Sequence, residues 1–246
     1  MLRLPAFRDG FEEAARKAMQ ETLSYEQYLQ ELTDRECDER RARRIERLLR
    51  ESRLPLEKTL SSFDLQRLPP KVARQMRTLL EGGFLERREN VLAFGNSGAG
   101  KTHLLCALGQ ELIRQLERPV YFSPCSLLVQ ELLVGKRDLK LSRVLKRLSK
   151  FDVVIIDDIG YVQQSRDEME VLFTLLAERY ERGSVMLTSN LPFSKWESIF
   201  KDPLTTAAAI DRLVHHSVII ELNIPSYRVE EAKKKQAEGQ VEEAAE

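Results

Sequence analysis

The chain has 246 residues, 42% of them hydrophobic, enough for one substantial domain with its own core plus an appendage. Lys and Arg total 39 and so do Asp and Glu, which excludes a strongly basic protein but not a polyanion binder with segregated charge. No apolar run is long enough to span a membrane, no secretory core follows Met1, and Cys37, Cys106 and Cys125 are scattered, so the expectation is a reduced, cytoplasmic protein without a disulfide framework or zinc site.

The first segment, residues 1–60, reads as a small helical domain. Phe7, Phe11, Ala14, Ala15 and Ala18 share one helical face, and Ser24-x-x-Gln27 is a capping-box start for a second helix. That helix becomes arginine-rich between Arg40 and Arg53, with Glu39, Glu46 and Glu51 interspersed. The spacing fits a solvated face laced with i,i+4 ion pairs as well as it fits a phosphate-contacting surface. Leu54-Pro55 stops it, and the segment to Pro70 reads as a linker and entry strap. Pro70 then opens a helix with Val72, Met76, Leu79 and Leu80 inward, ended by Gly82-Gly83.

The apolar run Val91 to Phe94 breaks into Gly95-Asn96-Ser97-Gly98-Ala99-Gly100-Lys101-Thr102 and reopens as a helix from His103. Glycines let backbone N–H groups wrap a phosphate, Lys101 reaches the β- and γ-phosphates, and the Thr102 hydroxyl suits Mg²⁺. The helix start adds a favourable dipole. This spacing, strand before and helix after, predicts a nucleoside triphosphate site.

Leu104, Leu108, Leu112 and Leu116 carry that helix at i+4 spacing, and a strand follows over 119–123. A helix from Leu127 is expected to break at Gly135. From Lys136 to Lys150 the residues Lys136, Arg137, Lys140, Arg143, Lys146 and Arg147 alternate with Leu139, Leu141, Val144, Leu145 and Leu148, which predicts one basic amphipathic helix. A polyanion contact and a solvated face both fit that pattern. Val153 to Ile156, apolar and β-branched, predicts a parallel strand buried on both faces and delivers Asp157-Asp158 to the ligand-binding edge. Asp157 can hold Mg²⁺ and Asp158 can polarise a water. Ser165-x-x-Glu168 caps the next helix, Val185 to Thr188 is a strand delivering Asn190, and Phe193 and Trp196 pack a loop. A short helix leads to Asp211-Arg212, a fifth strand spans 218–222, and residues 230–246 read as a charged, disordered tail.

The order of these motifs resembles an AAA+ ATPase of the initiator and helicase-loader clade, and more narrowly the IstB type of insertion-sequence transposition helper. The narrower resemblance rests on Gly100-Lys101-Thr102-His103-Leu104, Asp157-Asp158-Ile159-Gly160-Tyr161, Arg179-Tyr180-Glu181-Arg182, Thr188-Ser189-Asn190-Leu191-Pro192-Phe193, Asp211-Arg212-Leu213 and the N-terminal Leu2-Arg3-Leu4-Pro5. It implies an α/β P-loop NTPase (AAA+) with a parallel five-stranded sheet flanked by helices over 61–229, no separate lid domain, and the small all-α domain before it. It also implies an ATPase using ATP and Mg²⁺ that forms a helical or ring-like homo-oligomer on duplex DNA and delivers it to a partner transposase of the IstA type. By position, residues 95–103, with Lys101 and Thr102, become Walker A. Asp157 and Asp158 become Walker B, Asn190 sensor 1, Arg212 the arginine finger completing a neighbour's site, and Arg228 a candidate nucleotide contact. A helicase loader of the DnaC type shares the same core and is the alternative; a small-molecule kinase lacks a use for Asn190 and Arg212.

Overall fold

The structure is a computed structural model that describes residues 3–159, 165–196, 203–227 and 229, without the side chains of residues 203–206. Gly160, Tyr161, Arg228 and the expected tail lie outside the described residues. The chain divides into two compact units, residues 1–50 and 51–246.

The first unit holds α1 (Pro5–Gln20) and most of α2 (Tyr25–Ser52). The expected capping box is formed at Ser24, whose N–H donates to Gln27 Oε1 (2.8 Å) while its Oγ accepts from Gln27 N (3.3 Å). The buried face of α1 differs from expectation. Ala6 and Gly10 point inward and Phe11 is 48% exposed. The facing side of α2 is long and polar, so small residues are what fit against it: a Cβ on Gly10 would come within 2.7 Å of Arg35 Nη1, and Glu36 Oε2 accepts from Ala6 N–H at 2.8 Å. Within α2, Arg40 pairs with Glu36 and Arg43 with Glu39, so part of the arginine run is spent on intrahelical ion pairs.

Residues 51–60, grouped above with the helical domain, fall in the second unit. Gln110 Nε2 holds the carbonyls of Pro55 (3.1 Å) and Lys58 (2.9 Å) there. This unit contains α3 (Pro70–Leu80), α4 (Gly83–Glu86), β1 (Asn90–Gly95), α5 (Lys101–Leu116), β2 (Val120–Pro124), α6 (Cys125–Arg137), α7 (Leu141–Leu148), β3 (Val153–Ile159), α8 (Arg166–Arg179), β4 (Ser184–Ser189), α9 (Pro203–Val214) and β5 (Ser217–Leu222). All five strands are parallel, in the order β2-β3-β4-β1-β5. The strands read as continuous apolar runs because helices cover both faces. α5 packs across β1 to β4 on one face, and α6, α8 and α9 form a layer on the other around Leu128, Leu132, Leu172, Leu175 and Leu213. No lid domain follows β5 among the described residues, and none of their helices is long and apolar enough to cross a membrane.

Two buried polar residues staple the lower edge of the sheet, where the strands begin. Arg179, buried at the end of α8, donates to the carbonyls of Leu148, Phe151, Asp152 and Ser184, and burial pushes its guanidinium down to about 10. Asn90 Nδ2 donates to Arg212 O (3.4 Å) and Leu213 O (3.1 Å) at the end of α9, while its Oδ1 accepts from Val185 N (2.8 Å). These carbonyls have no partner within their own helix, so Asn90 ties α9 to the start of β1 and β4.

The basic stretch departs from the single helix expected. α6 runs through Gly135 to Arg137 because the missing Cβ admits α7, with Val144 Cγ2 only 3.1 Å from where that Cβ would be. The break falls instead at Leu139, which sits at φ 56 and is 93% exposed rather than buried.

Candidate functional site

At the upper edge β1 ends at Gly95 and the chain wraps through Asn96 to Gly100 into α5. Lys101 is nine-tenths buried. Its Nζ donates to the carbonyls of Gly95 (2.8 Å) and Asn96 (2.9 Å), holding the ammonium inside the loop it serves. Gly98 and Gly100 have φ of 78° and 88°, and both are hemmed in. A Cβ on Gly98 would fall 2.0 Å from Ser226 Oγ, and one on Gly100 would fall 2.9 Å from the Phe63 ring. The loop therefore needs glycine twice over, for conformation and for space.

β3 supplies the carboxylates and β4 the threonine that braces them. Asp157 Oδ1 accepts from Thr102 Oγ1 at 2.7 Å and from Thr188 Oγ1 at 2.6 Å. Thr188 Oγ1 accepts in turn from Asp158 N–H at 2.7 Å. The β3–β4 register shifts between Ile156 and Ile159, and Asp158 sits at φ 64, a left-handed conformation that only a few side chains tolerate. Burial, together with the charge of Asp157, raises the Asp158 carboxyl above the ordinary carboxylate range, with Lys101 pulling it partly back. An ionised Asp158 thus costs fold stability at neutral pH, a cost that disappears as pH falls through the carboxylate range.

A cavity of about 330 Å³ opens over these groups, lined by Gly98, Gly100, Lys101, Thr102, Asp158, Thr188 and Asn190. Its other wall is a strap the sequence did not assign a role: Lys58, Ser62, Phe63, Asp64 and Arg67, with Tyr227 beyond β5. The strap is fastened at several points. His103 Nε2–H donates to Thr59 O (2.9 Å) and lies 3.2 Å from Ser62 Oγ, and its ring meets Phe63 edge-on at 5.2 Å. Arg67 Nη2 donates to Pro225 O (3.1 Å), with its guanidinium over the Tyr227 ring. His103 therefore anchors the strap while also lining the cavity. The signal for the strap was available in Phe63-Asp64 and His103, but nothing in the spacing ties positions 40 residues apart. The Thr102 hydroxyl and Asp157 carboxylate are hard oxygen donors directed at one another, a donor set that suits Mg²⁺.

The remaining candidates lie elsewhere. Arg212, at the end of α9, is at the lower edge, with its guanidinium carbon 4.5 Å from the Phe173 ring centroid. The basic residues of α6 and α7 divide into two groups. Lys136 pairs with Glu170 (2.9 Å), Arg137 with Asp138 (3.2 Å), and Arg147 with Glu131 (2.6 Å) while stacking on Tyr121. Lys140, Arg143 and Lys146, together with Lys150, make no ion pair among the described residues and line an open groove along α7. Cys106, close beneath the site, is an inert thiol: burial pushes it up to about 12.

With this geometry in hand, comparisons place the chain among known proteins. The family model described as IstB-like ATP binding protein matches residues 1–237. An insertion sequence ATP-binding protein of Sinorhizobium fredii is 42% identical over 228 residues, 92% of this chain and 76% of the relative. Among solved structures, a DnaC helicase loader matches with a TM-score of 0.57 at 16% identity, over 69% of this chain and 97% of that one. A DNA replication initiation factor matches with a TM-score of 0.56 at 18% identity, over 76% of this chain but only 56% of that one. At such identities the two structures speak for the fold alone.

Proposed function

The chain belongs to the IstB-like ATP binding proteins, and from that premise we propose that it hydrolyses ATP only when copies assemble side by side on duplex DNA, and that the assembly presents the DNA to a partner transposase. The observation that carries this reading is the separation of Arg212 from its own Lys101. Asn90 holds the Arg212 carbonyl at the start of β1, and Lys101 holds Gly95 at its end. Six residues of strand lie between, about 17 Å at roughly 3.3 Å per step, beyond the reach of one side chain. Arg212 can serve a triphosphate only in a neighbouring copy.

Within one copy, Lys101 and the loop N–H groups would hold the β- and γ-phosphates. Thr102 and Asp157 would hold Mg²⁺, which supplies neutralisation of the phosphate charge. Asp158 would accept a proton from the attacking water at its carboxylate, and Asn190 would hydrogen-bond the γ-phosphate or that water. Thr188 braces the Asp157 carboxylate and the Asp158 backbone. The neighbour's Arg212 would stabilise the charge that develops on transfer, so hydrolysis reports assembly. Lys140, Arg143 and Lys146, which make no ion pair among the described residues, are the cations best suited to duplex phosphates.

Sedimentation of the full chain with ATP and either duplex or single-stranded DNA tests the proposal. The expected result is an ATP-dependent, salt-sensitive large species on duplex DNA. A monomer indifferent to duplex would overturn it, and selective capture of single strands would favour helicase loading instead.

A further inference from the structure

At the lower edge of the sheet a cavity of about 210 Å³ lies between the start of β1, the turn after α8 and the end of α9. Its described lining carries four guanidiniums, Arg87, Arg88, Arg179 and Arg212, against one carboxylate, Glu181. Two of the four are committed within the fold. Arg87 forms a two-point pair with Glu89 at 2.9 Å on both nitrogens, and Arg179 is spent on backbone carbonyls. The other two keep hydrogen-bond donors unspent, although Arg212 also stacks on Phe173. Arg212 Nη1 is buried without a hydrogen-bond partner, and Arg88 makes no ion pair or side-chain hydrogen bond among the described residues. Arg88 moreover sits at φ 56, an unfavourable backbone for arginine, in the turn immediately before β1.

Two guanidiniums with unspent donors beside one cavity suit an anion bearing several terminal oxygens, since each can offer a forked pair of N–H groups. A buried donor left without an acceptor is costly, so Arg212 would gain by turning that donor towards an acceptor brought by another molecule. We infer that Arg88 is a second cation acting in trans, contacting the terminal phosphate of the nucleotide bound by the adjoining copy alongside Arg212. The inference rests on the trans role of Arg212 and adds a residue to it. In the assembled protein Arg88 and Arg212 would flank the γ-phosphate from the neighbour's side. The strained turn at Arg88 would then have a function, as strained residues at ligand clamps do.

The test measures DNA-stimulated ATP hydrolysis by Arg88→Asn, alone and mixed in equal amounts with Asp158→Asn. Asparagine tolerates the left-handed backbone, so thermal stability should hold or rise while the guanidinium is lost. The expected result is a loss of about 10- to 100-fold in kcat, the worth of one charge-assisted contact, with assembly on duplex DNA unchanged. Asp158→Asn is inactive but carries an intact Arg88, so the mixture should recover activity well above either variant alone. A parallel mixture of Arg212→Ala with Asp158→Asn separates the two claims. If that mixture recovers and the Arg88 mixture does not, or if Arg88→Asn is as active as the unaltered chain, the role of Arg88 is overturned and the trans reading stands. If neither mixture recovers, the trans reading itself fails and takes this inference with it.

Discussion

Asp157 and Asp158 illustrate how far single residues can be read from sequence. An apolar β-branched run ending in two aspartates placed them at the ligand edge of a parallel strand, where they lie. The left-handed backbone of Asp158 was not legible, because it arises from a register shift against β4 that only pairing defines. Thr188 was hidden for a related reason: among Val185, Met186 and Leu187 a threonine reads as one more strand former. Yet its hydroxyl donates to Asp157 and accepts from the Asp158 amide. Thr188→Val keeps the shape and removes both bonds. Steady-state kinetics should give a fall in kcat of about 10- to 100-fold with little change in KM for ATP, from the loss of a hydrogen bond to a charged group. Thr188→Ser should restore most of it. Equal loss in KM and kcat would mean that Thr188 supports nucleotide binding instead.

At the scale of elements, caps and apolar spacing located nearly every helix and strand, as at Ser24, Pro70 and Ser165, since those signals are local. The basic stretch failed because its break is decided by contact between two helices. Gly135 stays helical under Val144, and the chain turns at Leu139 instead. That turn sets α7 at an angle that local spacing cannot encode, and it sorts the cations. Lys136 and Arg147 are spent on α8 and α6, whereas Lys140, Arg143 and Lys146 face the groove. Reversing those three to glutamate should weaken duplex binding without altering ATP binding. The slope of log affinity against log salt should fall by about 2.7 if each cation neutralises one phosphate. A salt titration by fluorescence anisotropy reads this directly, and an unchanged slope would move the contact surface elsewhere.

For the molecule as a whole, the P-loop and its carboxylates lie at one edge of a parallel sheet and Arg212 at the other. The motifs were legible one by one, but that placement follows from strand order and from Asn90, neither of which spacing reveals. Hydrolysis per subunit should therefore rise with protein concentration on saturating duplex, and Arg212→Ala should flatten that rise with a loss of about 10³- to 10⁵-fold in rate. A rate per subunit independent of concentration would mean that each copy is complete alone. The opposed edges carry one more consequence. Contacts that pair unlike surfaces close into rings or extend as open polymers, and an open polymer of this chain has two different ends. One terminal copy would hold a nucleotide that no incoming arginine reaches, and the other would extend its arginines to nothing. If Arg212 acts in trans as proposed, the first would keep its triphosphate longest, so such a polymer would acquire a direction in time as well as in space: it would age towards one tip, and the loss of subunits would follow that polarity.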